Sequence, residues 1–328
     1  MAETGSIIAF LARAGWADAT RAPLAGDASA RSYDRLSRAG QTAILMKAPP
    51  GPEIERFLRI GAWLSQAGFS TPQPLARSDE EGLLLLEDFG DALMARRLAE
   101  HPEEEPALYR EITEMLLALH RHAPLEDLAR LDGAGLASLL DLVPAYYPCT
   151  DPAAAAQLKT AIAKTFDALS QESLVMCLRD FHAENIILLD RPGLARLGLL
   201  DFQDAVQAHP AYDLVSALQD ARRDVSPAVE RTQIAHYAAA AGLDHDRFAE
   251  IYALLGTQRA LRILGIFAKL CRVDGKPHYL AYMPRVWAYI ERNLAHPALA
   301  ELAAFLRAAY PPVTPELIKE LQADAPSP

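Results

Sequence analysis

A chain of 328 residues, 51% of them hydrophobic and 23% charged, can bury a large core, so it reads as one large domain or two packed lobes and not as a disordered segment. Its formal charge of -11 gives no overall attraction to nucleic acid, although a local basic pocket can still hold an anion. The three cysteines, Cys149, Cys177 and Cys271, form neither a metal-ligand cluster nor a disulfide framework, which fits a reducing compartment.

The N-terminal stretch MAETGSIIAFLARAGW lacks the basic start and long apolar core of a secretory signal. No uninterrupted apolar run approaches the roughly 20 residues that span a bilayer. A cytoplasmic protein that does not insert into membranes is the expectation.

In chain order, the apolar spacing from Ser6 to Ala14 predicts a short helix. LAGDASARSYDRLSRAGQTAILMKAPP reads as turn, strand, turn and strand, with Ala43 to Met46 a compact apolar run ending at Lys47. Pro49, Pro50 and Pro52 stop that strand, and a helix is predicted from about Glu53 through Leu64. A strand pair follows between Leu75 and Asp88, ending in GLLLLEDFG. After Gly90 the texture changes. Leu108, Ile112, Met115, Leu116 and Leu119 recur at helical spacing, and further helices are predicted near 153–170, 229–240, 247–269 and 282–293. Three short apolar runs, LVMCL, NIILL and LGLLDF, read as strands among them. The order predicts an α+β protein with a small β-rich N-terminal lobe, residues 1–90, and a larger, mostly helical lobe, residues 91–328.

The chemistry concentrates in LRDFHAEN and LLDFQDA. Asp180 follows an apolar strand and is placed to orient a hydroxyl nucleophile and accept its proton. Asn185, five residues on, offers an amide oxygen to a hard cation, and Asp201 offers a carboxylate from the end of another strand. Mg²⁺ takes few protein ligands of this kind and completes its shell with phosphate and water, so the set suits metal-assisted phosphoryl transfer. The plainer reading has Asp180 and Asn185 capping a turn and Asp201 ending a strand.

In these motifs the chain resembles the protein-kinase-like aminoglycoside and small-molecule phosphotransferases. LRDFHAEN is similar to their catalytic loop HGDxHxxN, which implies Asp180 as the catalytic Asp and matches His182 and Asn185 to the later His and Asn. DFQD resembles the metal-binding segment, implying that Asp201 holds Mg²⁺ with Asn185. AILMK resembles the strand bearing a nucleotide-binding Lys, implying that Lys47 meets the phosphates of ATP, with Glu53 or Glu55 as its acidic partner and Glu55 preferred. LLLLEDFG resembles the interlobe hinge, where backbone near Glu87, Asp88 and Phe89 would meet adenine. GDASARSY resembles the nucleotide-covering loop, with Ser29, Ala30 and Arg31 near phosphates. Leu178 and Arg179 replace the usual His-Gly. Asp213, in HPAYDL, either caps a helix or braces the catalytic loop, and His182 is expected to brace it too.

The combined pattern is most similar to bacterial anomeric kinases of N-acetylmuramate and N-acetylglucosamine. That implies a sugar hydroxyl as acceptor, with an aminoglycoside, another small alcohol or a non-catalytic nucleotide-binding role as the alternatives. Tyr146, Tyr147, Arg222, Arg223 and Arg262 are candidate acceptor-side groups.

Overall fold

A computed structural model describes residues 2–24 and 31–326. Ser29 and Ala30 lie outside the described residues. The chain forms two compact units, Met1–Pro102 with Ala183–Ala205, and Glu103–His182 with Val206–Pro328. Residues 183–205, grouped with the larger lobe by a single cut near residue 90, therefore cluster with the first unit.

The first unit is built on a five-stranded antiparallel sheet in the order β1-β2-β3-β5-β4, with β1 Thr20–Leu24, β2 Ser32–Arg38, β3 Gln41–Lys47, β4 Pro74–Ser78 and β5 Leu83–Glu87. The β2–β3 hairpin turns on Ala39 and Gly40, both with positive φ (42° and 77°), as a two-residue turn matched to strand twist requires. Side chains alternate across the sheet. Leu36, Ala43, Leu45, Leu83 and Leu85 pack on one face with Ile7, Phe10 and Leu11 of helix α1 (Ala2–Arg13) and with Trp16. The opposite face carries Tyr33, Arg35, Ile44 and Leu86, all of which line a cavity.

Helix α2, Pro52–Gln66, starts with Pro in its first turn and buries Ile54, Phe57, Ile60, Gly61 and Leu64 at three- and four-residue steps. Phe202 stacks on Phe57 with ring centroids 4.9 Å apart, and a Cβ on Gly61 would come within 3.2 Å of that ring. A hairpin of strands Ile186–Leu188 and Leu197–Leu199 joins the same unit, with Leu199 N–H donating to Ser70 C=O at 2.8 Å. The strands flanking the LRDFHAEN turn do not pair with each other. Val175–Cys177 pairs with Val206–Ala208, a strand the sequence does not signal.

The second unit is helical around His245–Arg272, whose 28 residues are buried along most of their length. By length and composition alone this helix could cross a membrane, but 83% of its most apolar window is packed inside the protein. Against it lies the short helix Ala211–Leu218, buried at every position, Asp213 included.

Candidate active site

In the first unit a cavity of about 330 Å³ is lined on its apolar side by Leu24, Ile44, Leu86, Phe89, Ile187 and Leu200, and on its polar side by Arg31, Asn185 and Asp201. The Glu87–Gly90 segment forms part of its wall. The acidic side chains of that segment are committed to ion pairs. Arg191 pairs with Glu87, and Arg35 Nε lies 2.8 Å from Asp88. Phe89 packs against Gly198, where a Cβ would stand 2.8 Å from the ring.

Arg31 occupies the polar end. Its side chain is 8% exposed, with Nη2 2.6 Å from Asp201 Oδ1 and Nε 3.2 Å from Glu53. Burial works against its charge, but Tyr33, Asp201 and Glu53 together hold its pKa above the ordinary value. Lys47 is elsewhere. It shares the parity of Ala43 and Leu45 on β3, so it points to the face opposite the cavity, where Nζ lies 3.0 Å from Asp34. Glu55 is also displaced from its expected place. It is exposed on α2 and lines a shallow surface depression with Arg59 and Arg77, while Glu53 is the residue that meets a cation. The two glutamates stand about 200° apart around the helix, so only one can face inward.

Asp201 adopts a left-handed backbone (φ 55°), a conformation uncommon among non-glycine residues and more accessible to Asp and Asn than to most. Its Oδ1 also accepts from Gln203 Nε2 at 2.8 Å. Asn185 anchors the hairpin, its C=O accepting from Leu200 N–H at 2.9 Å. An amide oxygen and a carboxylate facing one cavity are the hard donors that Mg²⁺ takes when phosphate completes its shell, so these residues fit that ion.

In the second unit the LRD turn is gripped by helix Ala211–Leu218. Asp213, fully buried, accepts N–H from Leu178 at 2.5 Å and from Arg179 at 2.8 Å. Ser216, one helical turn on, donates to Arg179 C=O at 3.1 Å and accepts from Arg259 Nη2 at 2.7 Å. This is the loop-bracing role for Asp213, since its carboxylate meets backbone outside its own helix. Arg179 holds φ 72°, the left-handed conformation that explains a glycine in HGD, while Leu178 is buried at 3% exposure. Asp180 thereby presents a side chain 42% exposed, with Arg259 3.9 Å away. His182 is buried, and burial lowers its pKa. Arg222 can only donate, so His182 Nε2 accepts from it at 3.2 Å and the proton resides on Nδ1.

Among the other acceptor-side candidates, Tyr147 is fully buried and bonded to Pro311 C=O, and Arg223 is bonded to Tyr109 and Glu105. Sequence reasoning missed Arg259 and Ser216. The available signals were an Arg inside the apolar run of a core helix and a Ser three residues after Asp213 on the same helix face.

Residues 20–251 match the Phosphotransferase enzyme family. The chain belongs to that family, and it is a phosphotransferase. Over 90% of its length it is 39% identical to an N-acetylmuramate/N-acetylglucosamine kinase of Caulobacter vibrioides, covering 94% of that protein. The kinase of the same name from Pseudomonas aeruginosa is 31% identical, with 89% and 90% of the two chains covered. Among solved structures, a choline/ethanolamine kinase family protein from Mesorhizobium loti superposes with a TM-score of 0.63 at 16% identity, covering 93% of this chain and 99% of that one. An ADP-bound aminoglycoside phosphotransferase superposes at 0.58 and 13% identity, covering 86% and 94%. The fold is thus the bilobal α+β fold of the protein-kinase-like phosphotransferases.

Proposed function

We propose that this enzyme transfers the γ-phosphoryl group of ATP to the anomeric hydroxyl of an N-acetylated amino sugar, N-acetylmuramate or N-acetylglucosamine. The observation that carries this reading is near-full-length similarity to kinases named for those two sugars, in a chain whose braced turn presents Asp180. Asp180 orients the sugar hydroxyl and takes its proton as the new oxygen–phosphorus bond forms and the bond to the β-phosphate oxygen breaks. Asn185 and Asp201 would hold Mg²⁺, which neutralises phosphate charge when bound. Arg31, paired with Glu53, serves as the phosphate-side cation in place of Lys47. The apolar cavity walls and the Glu87–Phe89 backbone take the adenine. Catalysis of this type rests on alignment and electrostatic stabilisation. A cytoplasmic setting accompanies the reading, and Cys149, Cys177 and Cys271 are free thiols.

The test is turnover with ATP and Mg²⁺ on N-acetylmuramate, N-acetylglucosamine, an aminoglycoside and choline, with the phosphorylated position read by NMR. A sugar 1-phosphate is expected. Turnover of the aminoglycoside or choline alone would sink the amino-sugar reading.

A further inference from the structure

The geometry points to a carboxylate-binding subsite beside Asp180, formed by Arg179, Arg259 and Arg262, that receives the acid group of the acceptor. The inference rests on the amino-sugar reading above and deepens it, because the two candidate sugars differ by one carboxylate: N-acetylmuramate carries a lactyl acid and N-acetylglucosamine does not.

Arg179 precedes Asp180 in the braced turn, and Arg259 and Arg262 stand one turn apart on helix His245–Arg272. Arg259, 7% exposed, lies 3.9 Å from Asp180 and is anchored on Ser216. The Nε atoms of Arg179 and Arg262 are buried without a hydrogen-bond partner. Arg262 has its charged form disfavoured first by burial and further by Arg179 and Arg259, while Tyr212 and Asp180 act the other way. The Tyr212 hydroxyl is buried and likewise has no hydrogen-bond partner. Another nearby acid, Asp213, spends its oxygens on the N–H groups of Leu178 and Arg179. Asp180 thus acts on Arg262 against the two cations Arg179 and Arg259, while Asp220, a further buried acid near His182, accepts from Arg222 N–H with one oxygen.

Buried donors without protein partners are uncommon in native proteins and are met by a water, an ion or a ligand. Neighbouring guanidinium groups favour an anion in that place. Guanidinium groups favour carboxylate because their planar donor forks match its two oxygens. The transferring phosphoryl group is the other anion available, but Arg31 already provides a cation at the nucleotide cavity. Asp180 orients the acceptor hydroxyl, so an anion held beside it is either the phosphoryl group arriving at that hydroxyl or an acid group of the acceptor, and comparing the acid with its ester separates the two. Arg262 would thus act as a specificity residue, setting affinity for the acidic sugar.

The experiment compares kcat/KM for N-acetylmuramate, its methyl ester and N-acetylglucosamine in the wild-type enzyme and in Arg262→Gln and Arg262→Lys. The wild type should prefer the acid to its ester at least tenfold. Arg262→Gln should lower the N-acetylmuramate to N-acetylglucosamine ratio at least tenfold, chiefly through KM, and Arg262→Lys should recover part of it. Equal handling of acid and ester by the wild type overturns the subsite, and that result does not depend on any variant folding. A uniform loss on all three acceptors in Arg262→Gln overturns it too, by assigning the cluster to the phosphoryl group or to the loop. If the wild type phosphorylates none of the three, the amino-sugar reading fails and the subsite falls with it.

Discussion

Lys47 Nζ lies 3.0 Å from the Asp34 carboxylate, on the sheet face that packs against α1 and away from the cavity lined by Arg31. Burial tends to raise the Asp34 pKa, but Arg21 and Lys47 outweigh it and hold the carboxyl below its ordinary value. Lys47 is therefore a structural cation. Lys47→Met should keep kcat/KM for ATP within about threefold of wild type and cost about 1 kcal/mol of stability, since Arg21 still serves Asp34. Arg31→Met should lose about 100-fold in kcat/KM, the scale expected for removing a charged group that stabilises the transition state. Steady-state kinetics with ATP varied, alongside thermal melts, decide the matter. The reverse ranking would return the phosphate role to Lys47.

Arg179 offers a clean measure of backbone strain. Its φ of 72° costs a side-chain-bearing residue about 1–2 kcal/mol relative to glycine. Alanine and glycine remove the same guanidinium but differ in that cost. Arg179→Gly should be more stable than Arg179→Ala by about 1 kcal/mol in urea unfolding. Equal stabilities would mean that the turn relaxes out of the left-handed region once the Arg is gone.

These positions show what the sequence could and could not reveal. LRDFHAEN and DFQD stood out because they set carboxylates and an amide between apolar runs, where packing alone favours other residues. AILMK was legible as a strand ending at Lys47. Which face then met α1 and which met the cavity depended on pairing with β5, more than thirty residues away. Glu53 and Glu55 posed the same problem on a helix. Their rotation is set by Phe57 and Gly61 docking on Phe202, which the local sequence does not announce. Val206–Ala208 went unread because Gln207 interrupts it, leaving no apolar run like those of LVMCL, NIILL and LGLLDF. Local chemistry was readable, but orientation was decided by non-local packing.

Gly198 tests the cavity wall. A Cβ there would stand 2.8 and 2.9 Å from two Phe89 ring atoms and 3.0 Å from Leu189 Cδ1. Phe89 also carries Arg191 over its face at 5.3 Å, which limits its retreat. Gly198→Ala should push the ring toward the cavity and raise KM for ATP by about three- to tenfold with kcat little changed, the signature of lost ground-state binding. An unchanged KM for ATP would show that adenine does not rest against Phe89.

Asp213 links the loop brace to pH. Burial raises its pKa to about 7, against the opposing pull of the Leu178 and Arg179 N–H groups and of Arg259. An acid whose folded-state pKa is raised binds its proton more tightly when folded than when unfolded. Its contribution to stability is therefore fully present below pH 3.8 and is lost as pH rises through about 7. Asp213→Asn removes that titration and also weakens the brace, because an amide carbonyl can accept from one N–H while its own NH₂ opposes the other. Wild type should exceed the variant in stability by more at pH 5 than at pH 8, with the gap narrowing by roughly 2–4 kcal/mol in urea unfolding. Parallel pH profiles would mean that Asp213 stays ionised throughout, with its two backbone donors outweighing burial.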